Sequence, residues 1–123
     1  MKKRIKISEE FGVLLKEIED YNIPVIVEGK KDKAALDAVG ISNITTLHKK
    51  PIFQIMEELN AKEVVILTDL DKEGKKLYGI LAQECTRLGI KINNKLRNFL
   101  LKETELSHIE GLTTYLQNLL KFQ

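Results

Sequence analysis

Three acids in this chain stand where carboxylates can act together. Asp69 and Asp71, separated by Leu70, close the apolar run at residues 64–67, and Glu28 closes the apolar segment PVIVEG at residues 24–29. In extended backbone, side chains repeat direction every second residue, so Asp69 and Asp71 face one way and Leu70 the other. If the strands carrying Glu28 and Asp69 are neighbours, the three carboxylates converge. Isolated, they would repel and raise one another's pKa. A hard divalent cation resolves the conflict. Mg²⁺, with Mn²⁺ as its alternative, takes oxygen ligands, is held by one or two carboxylates, and completes its shell with water and substrate phosphate. Glu28, Asp69 and Asp71 are the candidate ligands, and Glu28 is also the candidate for moving a proton.

The surroundings of the acids agree with a phosphate. Lys30 follows Glu28-Gly29, and Lys75 and Lys76 follow Asp71-Lys72-Glu73-Gly74, so Lys30, Lys75 and Lys76 are candidate phosphate contacts. Gly29 and Gly74 keep side-chain bulk off the two turns, so backbone can approach an anion closely. The helix after each turn points its N-terminus at the same place. The combination suits phosphoryl or phosphodiester chemistry, with a metal for the developing charge and a carboxylate for proton transfer. Each signal has a plainer reading. D-x-D after a strand is common in loops and caps, a glutamate at the start of a helix can serve its dipole, and paired lysines usually solubilise a surface. The joint occurrence at strand ends is what favours a site.

A scaffold must bring those strand ends together, and the rest of the sequence supplies one. Helix-period and strand-type segments alternate. Residues 8–21 read as a helix with Ser8 as N-cap and Phe11, Leu14, Leu15 and Ile18 on one stripe. Strand-type runs lie at 24–29, 43–47, 63–69 and 90–96. Helices are expected at 30–40, stopped by Gly40; at 51–60, opened by Pro51; at 73–89, with Leu77, Ile80, Leu81, Cys85 and Leu88 inward and Gly89 as the stop; and at 107–122. Alternation of this kind predicts an α/β fold: one three-layer domain over residues 1–123, with a four-stranded parallel sheet and helices on both faces. In such sheets ligands bind outside the carboxyl ends of the strands. The three acids and three lysine pairs, Lys30-Lys31, Lys49-Lys50 and Lys75-Lys76, all fall there.

Composition narrows the setting. At 123 residues the chain is one domain, and 43% apolar residues suffice for one core. No apolar run approaches the roughly 20 residues of a bilayer span, and the basic start MKKRIKISEEFG leads into no signal-type apolar stretch. With a single cysteine, Cys85, no internal disulfide forms. A cytoplasmic protein without membrane contact is the expectation. The net charge of +2 does not by itself declare a nucleic-acid binder.

The sequence IVEGKKD, followed by ILTDLDKEGKK, resembles the Toprim domain found in topoisomerases, bacterial primases, certain nucleases and RecR-type recombination proteins. The resemblance covers about residues 20–100 and is nearest to small stand-alone archaeal Toprim proteins and to the ribonuclease that matures 5S ribosomal RNA. It implies a general acid or base at Glu28, an Mg²⁺-binding pair at Asp69 and Asp71, motif glycines at Gly29 and Gly74, and a further acid at Asp32. It assigns no fixed role to Lys75 and Lys76. A late glutamate near I-E-G recurs in the resembled small proteins, which makes Glu110 a candidate additional acid. Ser107 and Glu110 also fit the S-x-x-E capping box, and that reading is preferred. His48 and His108 have no ligand spacing between them and receive no role.

The departures exclude larger relatives. The chain has no separate domain to carry a topoisomerase nucleophile and no room for a primase body. Nuclease-type, Mg²⁺-dependent chemistry on RNA or DNA is the leading expectation. A non-catalytic nucleic-acid-binding or complex-assembly module is the alternative. Because the RNA-binding extension of the resembled ribonuclease is missing, a homodimer or a protein partner is expected to supply further nucleic-acid contacts. A signalling receiver is disfavoured, since it needs paired acids after the first strand and one after the third, the reverse of the order here.

Overall fold

The β-branched runs form four short strands, β1 (Val25–Val27), β2 (Ile44–Thr46), β3 (Glu63–Ile66) and β4 (Lys91–Ile92). They make one sheet in the order β2-β1-β3-β4, and every pairing is parallel. The structure is a computed structural model and describes residues 2–120, with side-chain environments for 9–118. The helices are α1 (Lys2–Asp20), α2 (Lys30–Ala38), α3 (Ile52–Leu59), α4 (Lys72–Leu88), α5 (Lys95–Glu103) and α6 (Leu112–Leu120), with a 3₁₀ turn at Ile109–Gly111 leading into α6.

Both faces of the sheet are covered, which is why its central strands β1 and β3 read as continuous apolar runs rather than alternating ones. Val25, Val27, Val65 and Leu67 pack with Phe11, Leu15 and Ile18 of α1, Leu36 of α2, Leu96, Phe99 and Leu100 of α5, and Ile109 and Leu112. Ile26, Val64 and Ile66 face the other way, against Ile55 and Met56 of α3 and Leu81 and Cys85 of α4. The two-residue period of the strands therefore divides one sheet between two cores. Val25 lies opposite Val65 and Ile26 opposite Ile66, so β1 and β3 are direct neighbours. The strand order reverses between these two, which makes their carboxyl ends the crevice where parallel α/β sheets bind ligands.

The four-stranded parallel sheet with helices on both faces is as expected from the sequence; several element bounds differ. The first helix begins at Lys2, so Ser8 lies within it and does not cap it. Extended structure was expected over 90–96, but β4 holds only two residues. The Asn93 side chain accepts from the Lys95 N–H (3.1 Å) and turns the chain into α5, a helix absent from the sequence reading. In α4, Ile80 and Leu88 are exposed rather than inward, because its buried stripe runs through Gly74, Leu81 and Cys85. The C-terminal helix starts at Leu112, after the 3₁₀ turn; the helical spacing of the sequence also turns Leu119 and Leu120 inward, and these lie outside the described side chains. No described helix is long and apolar enough to cross a membrane.

Candidate metal centre

The ladder of β3 ends at Ile66, and its last link is the Leu67 N–H donating to Ile26 O (2.8 Å). Asp69 and Asp71 therefore stand on a connecting loop, not on the strand itself. Their common direction still follows from the burial of Leu70, which turns into the α1/α5 core and leaves the flanking acids half-buried at the edge. Asp71 is the N-cap of α4, and its Oδ1 accepts the Gly74 N–H (2.8 Å). Thr68 Oγ1 donates to Gly74 O (2.7 Å). Gly74 packs so closely on the Asp69 carbonyl that a Cβ there would overlap it. Glycine at 74 thus lets α4 begin directly against the aspartate loop.

The underside of the loop is held by a residue with no counterpart in the sequence reading. Arg97 of α5 is only 3% exposed. Its Nη1 donates to Thr68 O (2.6 Å) and its Nη2 to Asp69 O (3.1 Å). The guanidinium lies 4.7 Å from the centre of the Tyr78 ring, and the Tyr78 hydroxyl donates to Asn94 Oδ1 (2.7 Å). Burial pushes the Arg97 pKa down, opposed by Tyr78, Glu28 and Asp69. The planar fork thus fixes two successive carbonyls of the loop.

Each aspartate has one oxygen committed to a backbone amide. Asp69 Oδ1 accepts the Ile109 N–H (2.9 Å), as Asp71 Oδ1 accepts that of Gly74. Leu70 N–H in turn donates to Ser107 O (2.8 Å). The segment 107–109 is thereby tied to the aspartate loop on both sides of His108. His108 Nε2 comes to 3.4 Å from Asp71 Oδ2. Asp69, Asp71 and His108 each place one ligand atom within 4.8 Å of the other two. Two carboxylate oxygens and an imidazole nitrogen at that spacing, open to solvent on one side, fit a divalent cation that keeps water or substrate in its remaining positions.

Glu28 stands beside this group and not within it. Its Oε2 accepts the Asp69 N–H (2.7 Å), so it braces the loop from β1. Its pKa is raised, first by burial and then by the charges of Asp69, Asp32 and Asp71, against the lowering effect of the Asp69 amide. Asp32 is buried and accepts the Gly29 N–H (3.0 Å) at the start of α2. Burial again leads the causes that raise its pKa, followed by the charges of Asp69 and Glu110 and opposed by the Gly29 amide. The amides of Gly29 and Gly74 are thus both taken by acids of this chain, and neither is left for a phosphate. Gly29 has an extended backbone with open space where a Cβ would stand, so its own fold does not demand glycine.

The other expected residues lie around the rim. Lys30 opens α2, and Lys75 and Lys76 lie near the start of α4; all three are exposed, and Lys76 Nζ pairs with Glu73 (3.7 Å). Glu110 is exposed on the 3₁₀ turn. The capping box with Ser107 does not form: His108 occupies the N-cap, and Ser107 Oγ lies 3.1 Å from His108 Nδ1. Sequence reading missed Arg97 and His108. For Arg97 the available signal was Leu96, Phe99 and Leu100 at helical spacing, which marks an amphipathic helix with the arginine at the edge of its apolar stripe. For His108 the local sequence carries no signal, because its partner Asp71 is distant in the chain.

The Toprim domain model matches residues 24–110. A UPF0292 protein of Methanocaldococcus jannaschii is 36% identical over 88% of this chain and 93% of its own. A UPF0292 protein of Pyrococcus abyssi is 30% identical over 91% of this chain and 89% of its own. Among solved structures, a protein from Aquifex aeolicus superposes with a TM-score of 0.75 at 30% identity, covering 83% of this chain and 94% of that one. Toprim domains typically bind a divalent metal and are associated with nucleic-acid interaction.

Proposed function

The chain belongs to the Toprim domain family, and from that premise we propose that it performs divalent-metal-dependent phosphodiester chemistry on RNA or DNA. The observation that carries this reading is the pair of aspartates, each with one oxygen fixed by a backbone amide and ligand atoms converging with His108 within 4.8 Å. Amide-fixed carboxylates are preorganised, so little ordering cost remains when a cation binds. A cation held there would neutralise charge developing on a scissile phosphate. Glu28, next to the pair and with Oε1 unbonded among the described residues, would carry the proton. Lys30 and Lys75 would meet the nucleic acid as exposed point charges, and Lys76, paired with Glu73, would do so less directly. Purified protein with Mg²⁺ or Mn²⁺ is expected to cleave some member of a panel of structured RNAs and DNAs. Glu28→Gln should lower that rate by about 10²–10⁴-fold, the usual worth of a positioned acid or base. Cleavage undiminished in Glu28→Gln removes Glu28 from the chemistry.

One observation favours a second reading. Glu28 already has a structural task in accepting the Asp69 amide (2.7 Å), and that task requires no turnover. In this reading the chain is a metal-containing nucleic-acid-binding or assembly module, completed by a second copy or a protein partner. Gel shifts that depend on the metal, with no cleavage anywhere in the panel, would select it.

A further inference from the structure

We propose that His108 is the third protein ligand of the centre, and that it makes the centre select Mn²⁺ over Mg²⁺. This rests on the metal-binding part of the reading above, and not on catalysis.

The argument begins with the ring's orientation. Ser107 Oγ lies 3.1 Å from His108 Nδ1. A neutral imidazole whose Nδ1–H donates to that hydroxyl has its lone pair on Nε2. Nε2 is the nitrogen that faces the acids, 3.4 Å from Asp71 Oδ2. A partner on the far ring nitrogen is the usual way that a histidine ligand is held in one tautomer.

The backbone carrying the ring is fixed as well. Ser107 O accepts the Leu70 N–H (2.8 Å), and the Ile109 N–H donates to Asp69 Oδ1 (2.9 Å). The residues on both sides of His108 are thus bonded to the aspartate loop itself. The 107–109 segment and the loop behave as one unit, although His108 is exposed and distant from Asp71 in sequence. Solvent exposure costs such a ligand nothing, since the open side is where water or substrate completes the shell.

The donor set then separates Mn²⁺ from Mg²⁺. Mg²⁺ takes oxygen ligands and sheds water reluctantly. Imidazole nitrogen is accepted more readily by transition dications than by Mg²⁺, and Mn²⁺, the weakest binder among them and the one that also suits carboxylate oxygen, is the transition ion to compare with Mg²⁺ at this site. With the imidazole removed, two carboxylates remain, and that is a sufficient set for Mg²⁺.

The test needs no substrate. Wild type, His108→Ala, and Asp69→Asn with Asp71→Asn are titrated with Mn²⁺ by electron paramagnetic resonance, and Mg²⁺ is measured by competition. The expected result is a Mn²⁺ signal with nitrogen coupling that changes on ¹⁵N-histidine labelling. His108→Ala should lose that coupling and bind Mn²⁺ at least about 10–100-fold more weakly, since loss of even an outer-shell partner of a ligand costs that much, with Mg²⁺ affinity little altered. Equal melting temperatures of wild type and His108→Ala in EDTA establish that the variant folds. Mn²⁺ binding that needs Asp69 and Asp71, shows no nitrogen coupling and is unaffected by His108→Ala overturns the inference and spares the metal centre. No binding of either cation overturns both.

Discussion

At the scale of single residues, the centre is a set of charges held in place by amides, and Asp32 shows the cost. It is buried, and its pKa is raised chiefly by that burial, with Asp69 and Glu110 adding to the shift. A carboxyl with a raised folded pKa binds its proton more readily folded than unfolded. Its ionisation therefore opposes folding above the folded pKa, and the opposition vanishes as pH falls below the unfolded value. Asp32→Asn keeps an acceptor for the Gly29 N–H and removes the charge. In EDTA it should unfold at higher denaturant than wild type at pH 7, by about 0.5–1 kcal/mol, and the advantage should shrink as the ordinary carboxylate range is approached. An advantage that grows on acidification would refute the assignment. The two motif glycines make a sharper pair. A Cβ at Gly74 would overlap the Asp69 carbonyl, whereas one at Gly29 meets open space on extended backbone. Gly74→Ala should destabilise by about 2–3 kcal/mol, as overpacking against backbone does. Gly29→Ala should change stability by less than about 0.5 kcal/mol. Urea unfolding of the two variants measures the contrast, and equal losses would mean that the close approach at Gly74 is not there.

At the scale of elements, α5 does for the aspartate loop what no neighbouring strand can. A loop that follows a strand leaves carbonyls unpaired, and Arg97 takes those of Thr68 and Asp69 from below. Arg97→Met keeps the stem and removes the fork. It should cost about 2–4 kcal/mol by leaving buried acceptors unpaired beside acids, and it should weaken metal binding, because the carbonyls lead directly into the ligands. Arg97→Lys should fall between, since an ammonium cannot serve both carbonyls in one plane while stacked on Tyr78. Guanidinium unfolding together with Mn²⁺ titration checks both effects; unchanged metal affinity in Arg97→Met would reduce the residue to a packing role. The same helix marks the limit of what the sequence discloses. The strands β1 and β3 that lead into Glu28 and Asp69, their adjacency and the common direction of Asp69 and Asp71 are legible because a doubly buried parallel sheet writes long apolar runs and because acids just beyond their ends are conspicuous. The segment after Asn93 is not, because Ile90, Lys91 and Ile92 alternate like a strand and mask the turn that Asn93 makes two residues later. Ser107 and Glu110 fit a capping box by spacing, but the backbone enters a 3₁₀ turn there, and the serine meets His108 instead.

At the scale of the whole molecule, the fold sets lysines and acids against each other along one edge of the sheet. The net charge is only +2, and the carboxyl edge gathers Glu28, Asp32, Asp69 and Asp71 within reach of one another's fields. Without a cation this edge repels a phosphodiester backbone, and the rim lysines must work against it. On the proposed function, a bound divalent ion would reverse the local balance and leave Lys30 and Lys75 to act on flanking phosphates, while Lys76 is engaged with Glu73. Nucleic-acid affinity should therefore be abolished by EDTA and restored by Mn²⁺. With only Lys30 and Lys75 proposed to act on flanking phosphates, the dependence of log affinity on log salt should be shallow, with a slope of magnitude no more than about 3. Lys30→Ala and Lys75→Ala should each reduce it by about 1, while Lys76→Ala should change it less. Filter binding across a salt series, with and without metal, measures all of these. Undiminished binding in EDTA, or slopes indifferent to Lys30 and Lys75, would place the nucleic acid on another face of the molecule and separate binding from the metal centre.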